Sequence, residues 1–240
     1  LLNYIEFPPL NLLEISFDGS DDEFDDVRID DTQRQIEIIA QKVREFWGVG
    51  DAPIKNLQFL LEKNGLIVTG FDTHEEKIDA FSQRTIVGTG DMYFIAVALG
   101  QRPEGRIRFD MAHELGHILL HPWSENIELI TKEEFKAREK QANMFASAFL
   151  LPKSSFSKDV EAYPTDLKYY QFLKKKWKVS IQAMVYRSNQ LGIITDNQFQ
   201  YMMRQISKNG WRTKEPDDTP CTLNENIFQD AFGFLKQKIS

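Results

Sequence analysis

Three of the chain's four histidines fall in one short stretch, FDMAHELGHILLH, from Phe109 to His121. Within it, His113-Glu114-Leu115-Gly116-His117 has the form HExxH. On a helix, residues four apart share a face and lie about 6 Å apart along the axis. At that spacing two imidazoles can close on one zinc ion, each ~2.1 Å from the metal. Glu114 is rotated about 100° from His113. It therefore flanks such an ion without binding it and can take a proton from a water held there. The implied chemistry is metal-assisted hydrolysis. The competing reading is a solvent-exposed helix that happens to carry histidines, with Gly116 as a weak point. Against it, Ala112, Leu115, Ile118 and Leu119 recur at helical spacing, so the helix has a buried face. Gly116 then reads as a point of close backbone packing, and the buried histidines need the polar partner that a metal supplies.

A catalytic zinc site takes three protein ligands and leaves a position for water. His121 continues the series but would sit about 12 Å from His113 on an unbroken helix, so it reads as a wall or supporting residue. Glu139 is the stronger candidate. In REKQANMFASAFLLP the inward stripe is Ala142, Phe145, Ala146, Phe149 and Leu150, and Glu139 lies three residues before Ala142 on that face. The alternative is an ordinary first-turn acid favoured by the helix dipole, for which Glu133 and Glu134 are better placed. Asn143 is positioned to hydrogen-bond the Glu139 carboxylate. Asp110 either caps the HExxH helix or orients His113. For a donor to the developing oxyanion, Tyr93 and Arg108 are the candidates.

The elements that must position these residues follow from pattern and composition. With 240 residues and 42% hydrophobic content, the chain can bury one sizeable core. The net charge of −7 argues against a surface given over to nucleic acid. Residues 18–31, DGSDDEFDDVRIDD, read as a solvated acidic arm, and they lack the ligand spacing of a calcium loop. The single cysteine, Cys221, excludes an internal disulfide and points to a reducing, cytoplasmic setting. The longest apolar run, Met92 to Leu99, is far short of a membrane span. The opening LLNYIEFPPLNLLEISF lacks the basic flank of a signal peptide, and a start at Leu-Leu suggests a domain cut from a longer protein.

From Thr32, the stripe Ile36, Ile39, Ala40, Val43, Phe46 and Trp47 predicts a helix ended by Gly48. A short helix is expected from Pro53 to Asn64-Gly65. Leu66–Thr69, Ile78–Ser82 and Met92–Val97 read as strands of a small antiparallel sheet. The strand at residues 92–97 is the edge expected to receive an extended substrate. The loop Gln101–Gly105 leads to the HExxH helix. Beyond it, Leu167, Tyr170, Phe172, Leu173 and Trp177 form one helix, and Val179-Ser180 starts another that runs to Gly192. Lys174, Lys175, Lys176 and Lys178 at their joint read as the basic rim of a packing lobe, with a DNA-reading pair as the alternative. The Met202-Met203 and Phe232–Phe234 clusters read as core.

RFDMAHELGHILLH followed by ExxANxFAxxFLLP, Glu139 to Pro152, resembles the ImmA/IrrE family of zinc metallopeptidases. PIKNLQFLLEKNGLIV (Pro53–Val68), IDAFS (Ile78–Ser82), LKKKWKVSIQAMVYRSNQLGIIT (Leu173–Thr195) and GWRTKEP (Gly210–Pro216) extend the resemblance over residues 32–225. It implies His113, His117 and Glu139 as zinc ligands and Glu114 as general base. It also implies endopeptidase cleavage of a helix-turn-helix repressor, a frequent neighbour in phage, mobile-element or stress loci. The DNA-binding domain often fused before this tail is missing from the sequence in hand. The expected fold is α+β: a zincin-like core at 32–156, preceded by an N-terminal segment and acidic arm at 1–31 and followed by a helical subdomain at 157–240. The rival functional reading is a zinc-containing binding or toxin–antitoxin module that does not cleave. Direct DNA binding by this chain and membrane association are not expected.

Overall fold

A computed structural model describes residues 8–17, 26–71, 79–87, 90–100, 102–121, 123, 130–220 and 223, without the side chains of 26–30 and 87. The elements are α1 (Asp26–Phe46), α2 (Leu57–Lys63), β1 (Ile67–Phe71), β2 (Ala80–Val87), β3 (Gly90–Ala98), α3 (Glu104–Leu120), α4 (Lys132–Leu150), α5 (Lys153–Val160), α6 (Leu167–Trp177), α7 (Ile181–Gln190) and α8 (Asp196–Lys208). The mixed α+β class stands as expected. Helix α1 begins at Asp26, so the last six residues assigned to the acidic arm are helical. Residues 18–25, His74, Cys221 and the Phe232–Phe234 cluster lie outside the described residues. The short helix starts later than Pro53, because the Asn56 side chain accepts the Phe59 N–H and supplies the cap. No helix among the described residues is long and apolar enough to cross a membrane.

The sheet is mixed, not antiparallel. Its order is β1-β3-β2, with β1 parallel and β2 antiparallel to β3. Burial explains the order. Strand β3 carries Ile95, Ala96, Val97 and Ala98, all buried, so it takes the centre. Strand β2 reads AFSQRTIV, and its polar middle suits an edge. The expectation that residues 92–97 form an open edge is therefore wrong: β3 is paired on both sides, and the outer edge beside the site belongs to β2. Ser82 pairs with the fully buried Ile95. Cross-strand partners share a face, so Ser82 points toward α3.

Helix α3 packs against β2, β3 and α4. It begins at Glu104, taking in two residues expected in the preceding loop, which leaves Asp110 inside the helix and rules it out as a cap. A Cβ built on Gly116 would lie 3.2 Å from Ala142 Cα and 3.2 Å from Ala142 O. This is the close helix–helix approach expected at Gly116, and it sets α4 directly against α3 at the level of the histidines.

The C-terminal helices continue the same apolar cluster, which includes Phe156, Tyr170, Trp177, Met184, Met202 and Ile206. The helix pair joined at Lys178 forms as expected, except that Phe172 faces outward at 64% exposure. Ser180 caps α7 through Ala183 N–H, while Glu215 accepts from the Ile181 and Gln182 N–H groups. Lys174 pairs with Glu215 and Asp218, Lys175 with Asp217, Lys176 with Asp159 and Lys178 with Glu104. The basic joint is thus matched acid for base. Replacing Gly116 by Val should force α3 and α4 apart and destabilise the fold by about 1–3 kcal/mol. Urea unfolding of Gly116→Val beside wild type measures this; an unchanged midpoint would mean that the helix contact can relax.

Candidate metal centre

Two helices build the centre. HExxH places His113 and His117 on one face of α3, with their Nε2 atoms 3.0 Å apart. Helix α4 is capped by Thr131, whose side chain accepts the Glu134 N–H, and its inward stripe is the predicted one. Because Ala142 meets Gly116, Glu139 one turn earlier arrives at the histidines. Its carboxylate oxygens stand 3.5 Å from His113 Nε2 and 3.2 Å from His117 Nε2. Among the described residues, these three side chains offer ligand atoms all within 4.8 Å of one another.

Tautomers decide whether the donor set fits a cation. His113 Nδ1 lies 3.1 Å from Asn143 Oδ1, a carbonyl oxygen that only accepts, so Nδ1 carries the proton. His121 Nε2 lies 3.0 Å from Gln141 Oε1 and likewise donates, while burial lowers the His121 pKa to about 4 and keeps the ring neutral. Neutral His121 can then accept at Nδ1 from the Nδ1–H of His117, 2.9 Å away. While both rings are neutral, their Nε2 lone pairs face the Glu139 carboxylate. Lone pairs converging at this range repel unless a cation lies among them, and donors bound tetrahedrally to one zinc stand roughly 3.4 Å apart. The residues fit a metal.

Titration tells the same story. Hydrogen bonds from His113 and His117 hold Glu139 far below the usual carboxylate range. Burial opposes charge on His113, but its hydrogen bond to Glu139 and the charge of Glu114 outweigh burial and raise its pKa. A proton on a ring nitrogen is thus favoured by the same carboxylate that would help hold a metal ion.

Glu114, rotated about 100° from His113 on α3, is not one of the three converging donors. It is 7% exposed, and the Ser82 hydroxyl donates to its Oε2 over 2.6 Å. Ser82 and Gln141 escaped the sequence reading. Gln141 could have been suspected from its place between Glu139 and Asn143; Ser82 could not, since only the sheet register delivers it. Asn143 serves His113 rather than Glu139, correcting its assignment. Asp110 neither caps nor orients: its Oδ2 is buried without a hydrogen-bond partner among the described residues, and burial pushes the carboxyl up to about 6. Arg108 is not an oxyanion donor. Its guanidinium is buried and gives its hydrogen bonds to the Ile54, Lys55 and Lys178 carbonyls. Tyr93 does lie on the sheet face toward α3, with its ring edge-on to Trp123 at 5.6 Å.

A helix bearing His-Glu-x-x-His, backed by a small mixed sheet and met by a carboxylate from the next helix, is compatible with a metallopeptidase core. The family model described as Peptidase M78, IrrE N-terminal-like domain, matches residues 62–189, and the chain belongs to that family. Among solved structures, a Mycobacterium tuberculosis transcriptional regulator is similar at 20% identity and a TM-score of 0.46, over 67% of this chain and 48% of that one. The chain spans about half the length of that structure. No curated protein matches it.

If His121 holds His117 in its tautomer, His121→Ala should weaken the binding of added Zn2+ about 10- to 100-fold although the three converging donors are unchanged. Competition against a chromogenic chelator reads the change; equal affinities would reduce His121 to a wall residue.

Proposed function

We propose that the chain is a zinc-dependent endopeptidase with a zincin-type core. In this reading His113, His117 and Glu139 hold zinc and Glu114 is the general base. The observation that carries it is the division of labour at the centre: three donors converge on one point while a second acid, Glu114, next to His113 in the chain, stays outside the set and is held by Ser82. A purely structural zinc site closes its coordination with protein atoms and has no use for such a group. When bound, zinc supplies Lewis acidity, making a water more acidic and polarising the scissile carbonyl.

The chain's own residues do the rest. Glu114 takes the proton of the attacking water and returns it to the leaving amine. The Ser82 hydroxyl keeps that carboxylate in one rotamer, and Tyr93, on the α3 face of β3, is the candidate donor to the developing oxyanion. Among the described residues, the outer edge of β2 pairs with no other strand, so it can accept an extended segment beside Glu114. An extended protein segment is the substrate such an edge suits. The narrower assignment, a helix-turn-helix repressor cleaved in the cytoplasm during phage, mobile-element or stress regulation, rests on the family resemblance of the HELGH and ExxANxFA motifs.

Zinc-loaded protein and a Glu114→Gln variant, each incubated with folded helix-turn-helix repressors, test this by fragment mass spectrometry. Cleavage by wild type that disappears in the variant, with zinc retained by both, is the expected result. Intact repressors in both reactions would favour the non-cleaving binding module. Ser82→Ala should lower kcat about 10-fold while leaving KM nearly unchanged, because it loosens the base and not the edge. A change confined to KM would reassign Ser82 to substrate binding.

A further inference from the structure

The outer edge of β2 has chemistry of its own beside the base. Side chains two apart on a strand share a face, so Arg84 follows Ser82 on the side toward α3, about 6.6 Å further along. Arg84 pairs with Tyr93 across the sheet, and Ser82 with Ile95. The Arg84 guanidinium is held fork to fork by Asp91 on β3, Nε to Oδ1 at 3.0 Å and Nη2 to Oδ2 at 2.9 Å. That grip uses two of the five N–H donors and fixes the plane of the group. The side chain stays 34% exposed, so the remaining donors are open to a ligand. A cation pre-oriented on an open edge strand, one same-face step from the general base, is what a side-chain-selecting subsite needs.

A segment added to β2 would have one residue directly opposite Ser82 and another, two positions away, directly opposite Arg84. Each would share the face of its partner, with Cβ atoms about 5 Å apart. Antiparallel addition gives the stronger ladder and places the residue opposite Arg84 on the N-terminal side. Since Ser82 touches Glu114, the residue opposite Ser82 lies at the base and the scissile bond flanks it.

We propose that Arg84 is a specificity-determining residue that selects a glutamate or aspartate on the substrate two positions N-terminal to the residue opposite Ser82. The proposal rests on the peptidase reading for its reaction, though not for its binding. Asp91 offsets the formal charge of Arg84, so the preference rests on the N–H donors left open, from which a carboxylate can accept and an ammonium cannot. Opposite charges directly across an antiparallel pair attract and like charges repel, so an acid should be favoured over a lysine about ten-fold. The exposed setting makes the preference sensitive to salt.

The test uses a set of extended peptides in which each position in turn is Glu, Gln or Lys, with wild-type protein, Arg84→Gln, Arg84→Lys and Arg84→Glu, all zinc-loaded. Cleavage is measured as kcat and KM. Binding is measured separately by fluorescence anisotropy on the Glu114→Gln background, which needs no turnover. One position should show an acid preference of about ten-fold, carried in KM and Kd and not in kcat, and shrinking in 0.5 M salt. Arg84→Gln should abolish it, Arg84→Lys keep most of it, and Arg84→Glu reverse it. Wild type with no charge preference at any position, or Arg84→Gln with the wild-type preference intact, would overturn the assignment. Acid-selective binding without cleavage would support the subsite and sink the peptidase reading, so the two failures are distinguishable.

Discussion

Everything at the centre depends on how closely α4 can approach α3. At Gly116 a single added carbon would lie 3.2 Å from the backbone of Ala142, so the two helices meet with nothing between them. One turn before Ala142 is Glu139, and one residue after Gly116 is His117. The glycine inside HExxH is therefore what lets a carboxylate from a different helix join two imidazoles. A bulkier residue would leave the histidines on their face but separate them from their third partner.

Around that contact the chain immobilises both helices at their backbones. Arg108 of α3 donates to the Ile54 and Lys178 carbonyls, tying the helix to the segment before α2 and to the α6–α7 joint. Arg44 of α1 does the same for α4, with its guanidinium on the Phe149, Gly50 and Ala52 carbonyls. Burial lowers the Arg44 pKa only to about 10, so it remains charged near neutral pH and its bonds remain charge-assisted. The imidazoles are steadied in turn by Asn143 and by the chain from His117 through His121 to Gln141. Three of the side chains that form or steady the centre, Glu139, Gln141 and Asn143, come from one turn of α4, around the Ala142 backbone that meets Gly116. Metal geometry and helix packing are in this sense one constraint.

The parts of the site set by position along a single helix were legible in the sequence. HExxH at spacing four gives His113, Glu114 and His117 their places, and the stripe Ala142-Phe145-Ala146-Phe149 turns Glu139 inward. The parts set by long-range register were not. Ser82 reaches Glu114 only because β2 pairs with β3 at Ser82–Ile95, and the IDAFS stretch that ends on it does not reveal that pairing. Strand order failed for the same reason: three short apolar runs allow several sheets, and the burial demanded by Ile95–Ala98 selects the one with β3 in the middle. Arg108 and the lysines at residues 174–178 looked available because their partners lie more than 15 residues away in sequence, at Ile54, Asp159, Glu104 and residues 215–218.

The central claim is that α3 and α4 meet in order to close three donors on one metal. Anomalous diffraction at the zinc edge from zinc-loaded crystals addresses it directly. The account predicts a single strong peak about 2.0–2.2 Å from His113 Nε2, His117 Nε2 and a Glu139 oxygen, with Glu114 outside bonding distance. A peak bonded to Glu114 in place of Glu139, or none between the helices, would contradict it.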